Sequence, residues 1–362
     1  YNGISGILIY FIYLYKETKN HKYFQVIEQC FETIRGYFNK RDKYKDNKIL
    51  FGGFSGETPI IYALIILEKE LNEYFDSDEL ELMRSKIFNS CEKSLINNQE
   101  HDVIIGSAGV ILILLKYYEH VKDKKILSLA ERYADKIMKD SIKIENALAW
   151  KSSFAKQPLG GFAHGTSGII FAFAKLYKYV KNDSYLEIIE KGMKYEDMLY
   201  RDSVKNWSDR RETDDGIRYD DLENHIPVAW CHGASGILLS RLYIKNLEIP
   251  LTESRKSSID SDISNAIETS LKFGFGRSHC LCHGDLGNIE ILNYASRVVE
   301  KRKIKEKCDI YMEYIKEDLM KGNWKCGIPY DNSPGIMVGL AGIGYGVLKV
   351  YNPTIPSILI LE

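Results

Sequence analysis

The side chains best equipped for chemistry cluster in "SHCLCHGDLGN", residues 278 to 288, which packs His279, Cys280, Cys282 and His283 into five positions. Three other short runs carry comparable groups: "FAHGTSG" with His164, "AWCHGASG" with Cys231 and His232, and "HDVIIGSAG", where Asp102 stands four residues before a glycine. Thiolate and imidazole together suit Zn²⁺, and three protein ligands with an open fourth position mark a catalytic rather than a structural zinc. Cys231, Cys282 and His283 meet that count, leaving His164 and Asp102 for proton transfer. The adjacency of Cys282 and His283 differs from the Cys-x-x-Cys of structural knuckles and suits a tight turn that aims both side chains at one point. Asp102 would orient or charge-stabilise His164 only if the two touch.

What must position these groups is a repeat. A Gly-x-x-Gly tetrad followed by an apolar run occurs seven times, beginning at Gly3, Gly53, Gly106, Gly165, Gly233, Gly284 and Gly339, with successive starts between 50 and 68 residues apart. Between the tetrads lie stretches such as "KILSLAERYADKIM" and "YFQVIEQCFETIRGYF", whose apolar residues recur at three and four, the signature of amphipathic helices. β-Branched alternation over a strand's length is scarce. The unit is therefore an outer amphipathic helix, a loop, a glycine turn and an inner helix that is apolar nearly all round and so buried on most sides. Seven units predict an all-α fold, an α/α-toroid of two concentric rings with every tetrad at one end. Seven inner helices are found but only six outer ones. The seventh outer helix is expected upstream of residue 1, which makes the chain read as a piece of a longer one.

Composition narrows the function. The 362 residues carry a formal net charge of −1 with mixed signs, which offers no basic field for nucleic acid or anionic membrane. The apolar stretch "GISGILIYFIYLY" is too short to span a bilayer, which takes roughly 20 residues. Seven cysteines, an odd number at irregular spacing, argue for thiols in a reducing, cytoplasmic compartment rather than a disulfide framework. Cys30, Cys91 and Cys308 fall in outer helices and read as packing, and Cys326 borders the seventh turn. His279 and Cys280 lie outside the repeated pattern and read as bystanders, while His232 points away from any metal and serves as support. The long polar segment 200–225 is expected to form a rim or lid, with Trp207 and Arg210 as contacts to a substrate, or else to be a solvated insertion.

The runs "WCHGASGI", "CHGDLGN" and "PGIMVGLAGIGYG" with the closing "PSILIL" resemble the C-terminal cyclase domain of class II lanthipeptide synthetases, the LanM type, relatives of stand-alone LanC cyclases. The resemblance covers residues 1–362 as one domain. It implies a zinc enzyme that closes thioether rings in a peptide, with Cys231, Cys282 and His283 matching the zinc ligands, His164 the acid/base histidine and Asp102 the active-site aspartate. Some LanM enzymes carry cysteine where this chain has His283, so the site here, two thiolates and an imidazole, is formally neutral with Zn²⁺. The implied partners are a dehydrated precursor peptide and an upstream dehydratase domain of the same polypeptide. Three other readings compete: a relative that adds or binds glutathione, a binding module with structural zinc, and a toroidal carbohydrate hydrolase. The last would need two carboxylates at the turns, for which only Asp102 and Asp285 qualify.

Overall fold

Hydrophobic periodicity in this chain resolves into alternating buried and half-buried helices. The computed structural model describes residues 1–41, 51–212, 215–219 and 226–362. In chain order the helices are α1 (Ile4–Thr18) and α2 (His21–Lys40), α3 (Thr58–Leu71) and α4 (Ser77–Ser94), and α5 (Ser107–Val121) and α6 (Lys124–Lys139). They continue with α7 (Thr166–Val180) and α8 (Ser184–Leu199), α9 (Ala234–Asn246) and α10 (Glu253–Phe273), α11 (Asp285–Val298) and α12 (Arg302–Met320), and α13 (Leu340–Tyr351). Each even-numbered helix packs on the odd-numbered one before it. The odd-numbered helices contact one another in sequence, and α13 returns to α1. The result is an α/α-toroid of seven inner helices and, among the described residues, six outer ones.

Local chemistry explains the division. In α5 every residue from Ser107 to Leu115 is buried, as an apolar run inside a ring must be. Its partner α6 buries only Ile126, Leu129, Ala130, Tyr133, Ala134 and Ile137, one stripe at helical spacing, and its Asp123 side chain caps the Lys125 N–H. Each large apolar side chain on such a stripe contributes about 1.5–3 kcal/mol. Six of the tetrads begin with the glycine that caps an inner helix. The second differs: α3 starts at Thr58, beyond Gly56, with Pro59 in its first turn.

The glycines let the turns interlock. A Cβ on Gly109 would lie 2.0 Å from the Val103 oxygen and 2.1 Å from the Gly53 nitrogen, so only glycine fits where two turns touch. Gly233, with φ +77°, also takes a backbone conformation that favours glycine. The turns are joined by a closed circle of backbone hydrogen bonds. Gly53 donates to Val103 (2.9 Å), Val103 to Ala163 (3.2 Å), Ala163 to Cys231 (3.3 Å) and Cys231 to Cys282 (3.3 Å). Cys282 donates to Met337 (2.9 Å) and Met337 to Tyr1 (3.3 Å), and the Tyr1 nitrogen closes the circle on the Phe54 carbonyl. The C-terminal tail plugs the ring: Ile358 to Leu361 are buried, and Trp230 donates its indole N–H to the Leu359 carbonyl at 3.0 Å.

Among the described residues two antiparallel hairpins, β1 (Ile142–Ile144) with β2 (Ala147–Ala149) and β3 (Tyr200–Arg201) with β4 (Asn206–Trp207), interrupt the helical pattern. Strands of two or three residues leave no alternation for a sequence reading to detect.

Candidate metal centre

The circle of turns gives each site residue an address. Tyr1, Ala163, Cys231, Cys282 and Met337 each stand two residues before the first glycine of their tetrad, and His164, His232 and His283 each stand one before. Because Cys231 and Cys282 occupy the same position on hydrogen-bonded neighbours, residues far apart in sequence meet. One ligand atom each from Cys231, Cys282 and His283 lie within 4.8 Å of one another, and among the described residues no other such group of three or more is found. Cys282 is buried, whereas Cys231 and His283 keep some exposure, so the cluster opens to one side.

Hydrogen bonds among these groups tie their protonation together. A hydrogen bond from Cys282, aided by one from His283, holds Cys231 well below the ordinary thiol range against the desolvation that raises it. Cys282, on the other side of that bond, is pushed well up. Hydrogen bonding to Cys231 and Cys280 pushes His283 up to about 11. The cluster thus gathers a thiolate beside a positively charged imidazole, and a divalent cation would replace the protons it holds. His283 also has the orientation of a ligating imidazole. Its Nε2 lies 2.9 Å from the Gly327 carbonyl, an acceptor only, so Nε2–H donates there and Nδ1 remains for a metal. Donor types, count and this supporting bond fit Zn²⁺ with an open position.

The acid–base candidates also meet. His164 Nδ1 lies 2.6 Å from Asp102 Oδ2, and Asp102 Oδ1 accepts the Ile105 N–H at 2.8 Å. An ionised carboxylate accepts only, so Nδ1–H donates and Nε2 is left to exchange protons. Asp102 is buried while the His164 side chain retains 15% exposure. Phe154 lies over the His164 ring at 3.9 Å between centroids, and His232 stacks at 6.3 Å on the way to Cys231. Burial drives the His232 pKa down to about 4, which keeps it neutral between the two sites. It is not among the three clustered ligand atoms.

Other expectations change with the structure. Trp207 is not at a rim: it is buried in the β3–β4 hairpin against Tyr200, because pairing of these strands turns the indole inward. Arg210 binds the Gln157 side chain. Residues 213–214 and 220–225 of the expected lid lie outside the described residues. His279 anchors α12 through Asp318 at 3.4 Å, and Cys280 is no bystander, since it is buried against His283. Asp285 Oδ1 accepts the backbone N–H groups of Gly276 and Arg277, which ties this carboxylate to its own turn. Three residues escaped the sequence reading. The Tyr1 hydroxyl donates to Cys282 Sγ at 2.9 Å, Phe154 covers His164, and Arg211, held by Asp209, sets a positive charge near Cys231. Only Tyr1 left a trace, its place two before the first tetrad.

Comparison with known proteins fits this geometry. The nisin cyclase structure superposes with a TM-score of 0.75 at 20% identity, covering 99% of this chain and 91% of that one. The lacticin 481/lactococcin biosynthesis protein LcnDR2 of Lactococcus lactis subsp. lactis is 27% identical over 96% of this chain. The chain spans only 35% of LcnDR2's length. The nisin biosynthesis protein NisC of the same organism is 27% identical, over 86% of this chain and 76% of NisC. Residues 1–360 match the family model described as lanthionine synthetase C-like protein, and the chain belongs to that family.

Proposed function

We propose that residues 1–362 form the cyclase domain of a lanthipeptide synthetase of the LanM type. In this reading it adds a cysteine thiol of a precursor peptide across a dehydroalanine or dehydrobutyrine to form a (methyl)lanthionine ring. One observation carries the proposal: the His164–Asp102 pair stands beside three clustered ligand atoms of zinc type at the same end of the toroid.

Cys231, Cys282 and His283 would hold Zn²⁺. When bound, the ion would lower the pKa of a substrate thiol and present it as thiolate near neutral pH. The remaining work falls to side chains. Sulfur attacks the β-carbon of the dehydrated residue, and the resulting enolate needs a proton at its α-carbon. His164 Nε2 takes the thiol proton or delivers that one, a role suited to imidazole near neutrality. Asp102 holds Nδ1–H and stabilises the ring whenever it is protonated. With two thiolates against one dication the centre is formally neutral.

The chemistry requires a dehydratase stage to supply the dehydrated residues. In this reading that stage belongs to an upstream dehydratase domain of the same polypeptide. All seven cysteines are free, which suits a reducing, cytoplasmic setting, and among the described residues no helix is long and apolar enough to cross a membrane. The test supplies a dehydrated, cysteine-containing peptide to the zinc-loaded protein and counts free thiols. Loss of thiol at constant mass is the expected result. Unchanged thiols with zinc bound would favour a binding module.

A further inference from the structure

We propose that Tyr1 is a positioning residue for the metal centre: its hydroxyl donates to the Cys282 thiolate and thereby sets how much charge that sulfur gives the metal. The inference rests on the zinc reading of the Cys231, Cys282 and His283 cluster.

The geometry is over-determined. Tyr1 occupies, in the first turn, the position that Cys231 and Cys282 occupy in the fifth and sixth, two residues before the tetrad. The backbone circle carries all three, so the same framework that brings the cysteines together also brings the phenol to Cys282. The Tyr1 carbonyl accepts the N–H groups of Ile336 (3.1 Å) and Met337 (3.3 Å), and the Met337 carbonyl accepts the Cys282 N–H at 2.9 Å. The hydroxyl then reaches across the seventh turn to Cys282 Sγ at 2.9 Å. Main chain and side chain of Tyr1 thus grip the same ligand turn from two directions. A phenol, with an ordinary pKa near 10, is a donor at neutral pH, and the Cys282 sulfur, which a bound metal would hold as thiolate, is the acceptor it meets.

The consequence follows from charge. Two thiolates already neutralise a dication, which weakens its pull on an incoming thiol. A hydrogen bond to one sulfur withdraws electron density from it and restores part of that pull. Outer partners of ligating atoms typically govern about 10- to 100-fold in metal affinity or activity. Tyr1 touches the ligand and not the substrate, so its effect must appear in the metal's own spectrum.

The experiment titrates Co²⁺ into metal-free wild type and Tyr1→Phe, reading the sulfur-to-cobalt charge-transfer band and the affinity. Phenylalanine keeps the ring and the backbone bonds and removes only the hydroxyl. The expected result is a band displaced to longer wavelength, because a thiolate relieved of its hydrogen bond is easier to oxidise, with binding about 10- to 100-fold weaker. An unchanged band, or affinity within about twofold of wild type, overturns the inference while leaving the zinc site standing. Wild type that gives no thiolate–cobalt band overturns the zinc reading, and the inference with it. If Tyr1→Phe does not fold, 3-fluorotyrosine at position 1, a stronger donor, must shift the band to shorter wavelength. No shift there also refutes the role.

Discussion

Asp102→Asn isolates the carboxylate from everything else it does. Asn can keep the short bond from the Ile105 N–H through its own Oδ1, so the loop before α5 retains its anchor. What changes is the 2.6 Å contact with His164 Nδ1. The amide nitrogen now faces the ring as a donor, so Nδ1 must accept and the neutral imidazole carries its proton on Nε2. The base that should receive a thiol proton is then blocked, and the protonated ring loses its counter-charge. A hydrogen bond to a charged group contributes about 1.5–3 kcal/mol. At 1.36 kcal/mol per factor of ten in rate, cyclisation is expected to slow by about 10- to 150-fold. The assay is thiol loss in a dehydrated peptide under single-turnover conditions, with zinc content measured on the same samples. Metal content should match wild type, since Asp102 is not among the ligands. His164→Asn should cost about 10²–10⁴, and adding Asp102→Asn to it should cost little more, because the two act as one unit. A rate for Asp102→Asn within about twofold of wild type, or full additivity in the double variant, would refute the coupling.

Three further outcomes follow. Cys282→Ala leaves two ligand atoms of the three, so zinc at one equivalent should be lost on dialysis; equal metal content in variant and wild type would remove the site. Gly109→Ala drives a methyl into the backbone of Gly53 and Val103, and thermal melting should report a loss of about 1–3 kcal/mol. Burial lowers the His232 pKa to about 4 against roughly 6.5 unfolded, so the unfolded chain takes up the proton first. Its contribution to stability is therefore present above pH 6.5 and is lost as pH falls toward 4. In the metal-free protein, His232→Gln should flatten the decline in melting temperature across that window, and parallel declines would show the histidine is not responsible.

Much of this protein is written locally. Helical periodicity and the seven glycine tetrads depend on neighbours three or four residues away, and they are enough to specify inner and outer helices and to count them. The types of the site residues are equally plain, since Cys and His repeated beside glycine turns have few other uses. The hairpins at 142–149 and 200–207 have strands too short to show a period, and the burial of Trp207 against Tyr200 is set by pairing that no local pattern encodes. What only the tertiary structure decided is which turns touch. Asp102 and His164 are brought to 2.6 Å across two turns, and Tyr1 reaches Cys282 from the opposite end of the chain, because a circle of backbone hydrogen bonds closes the first repeat on the last. No short window of sequence contains both Tyr1 and Cys282: the first turn meets the sixth through the seventh, to which both are bonded.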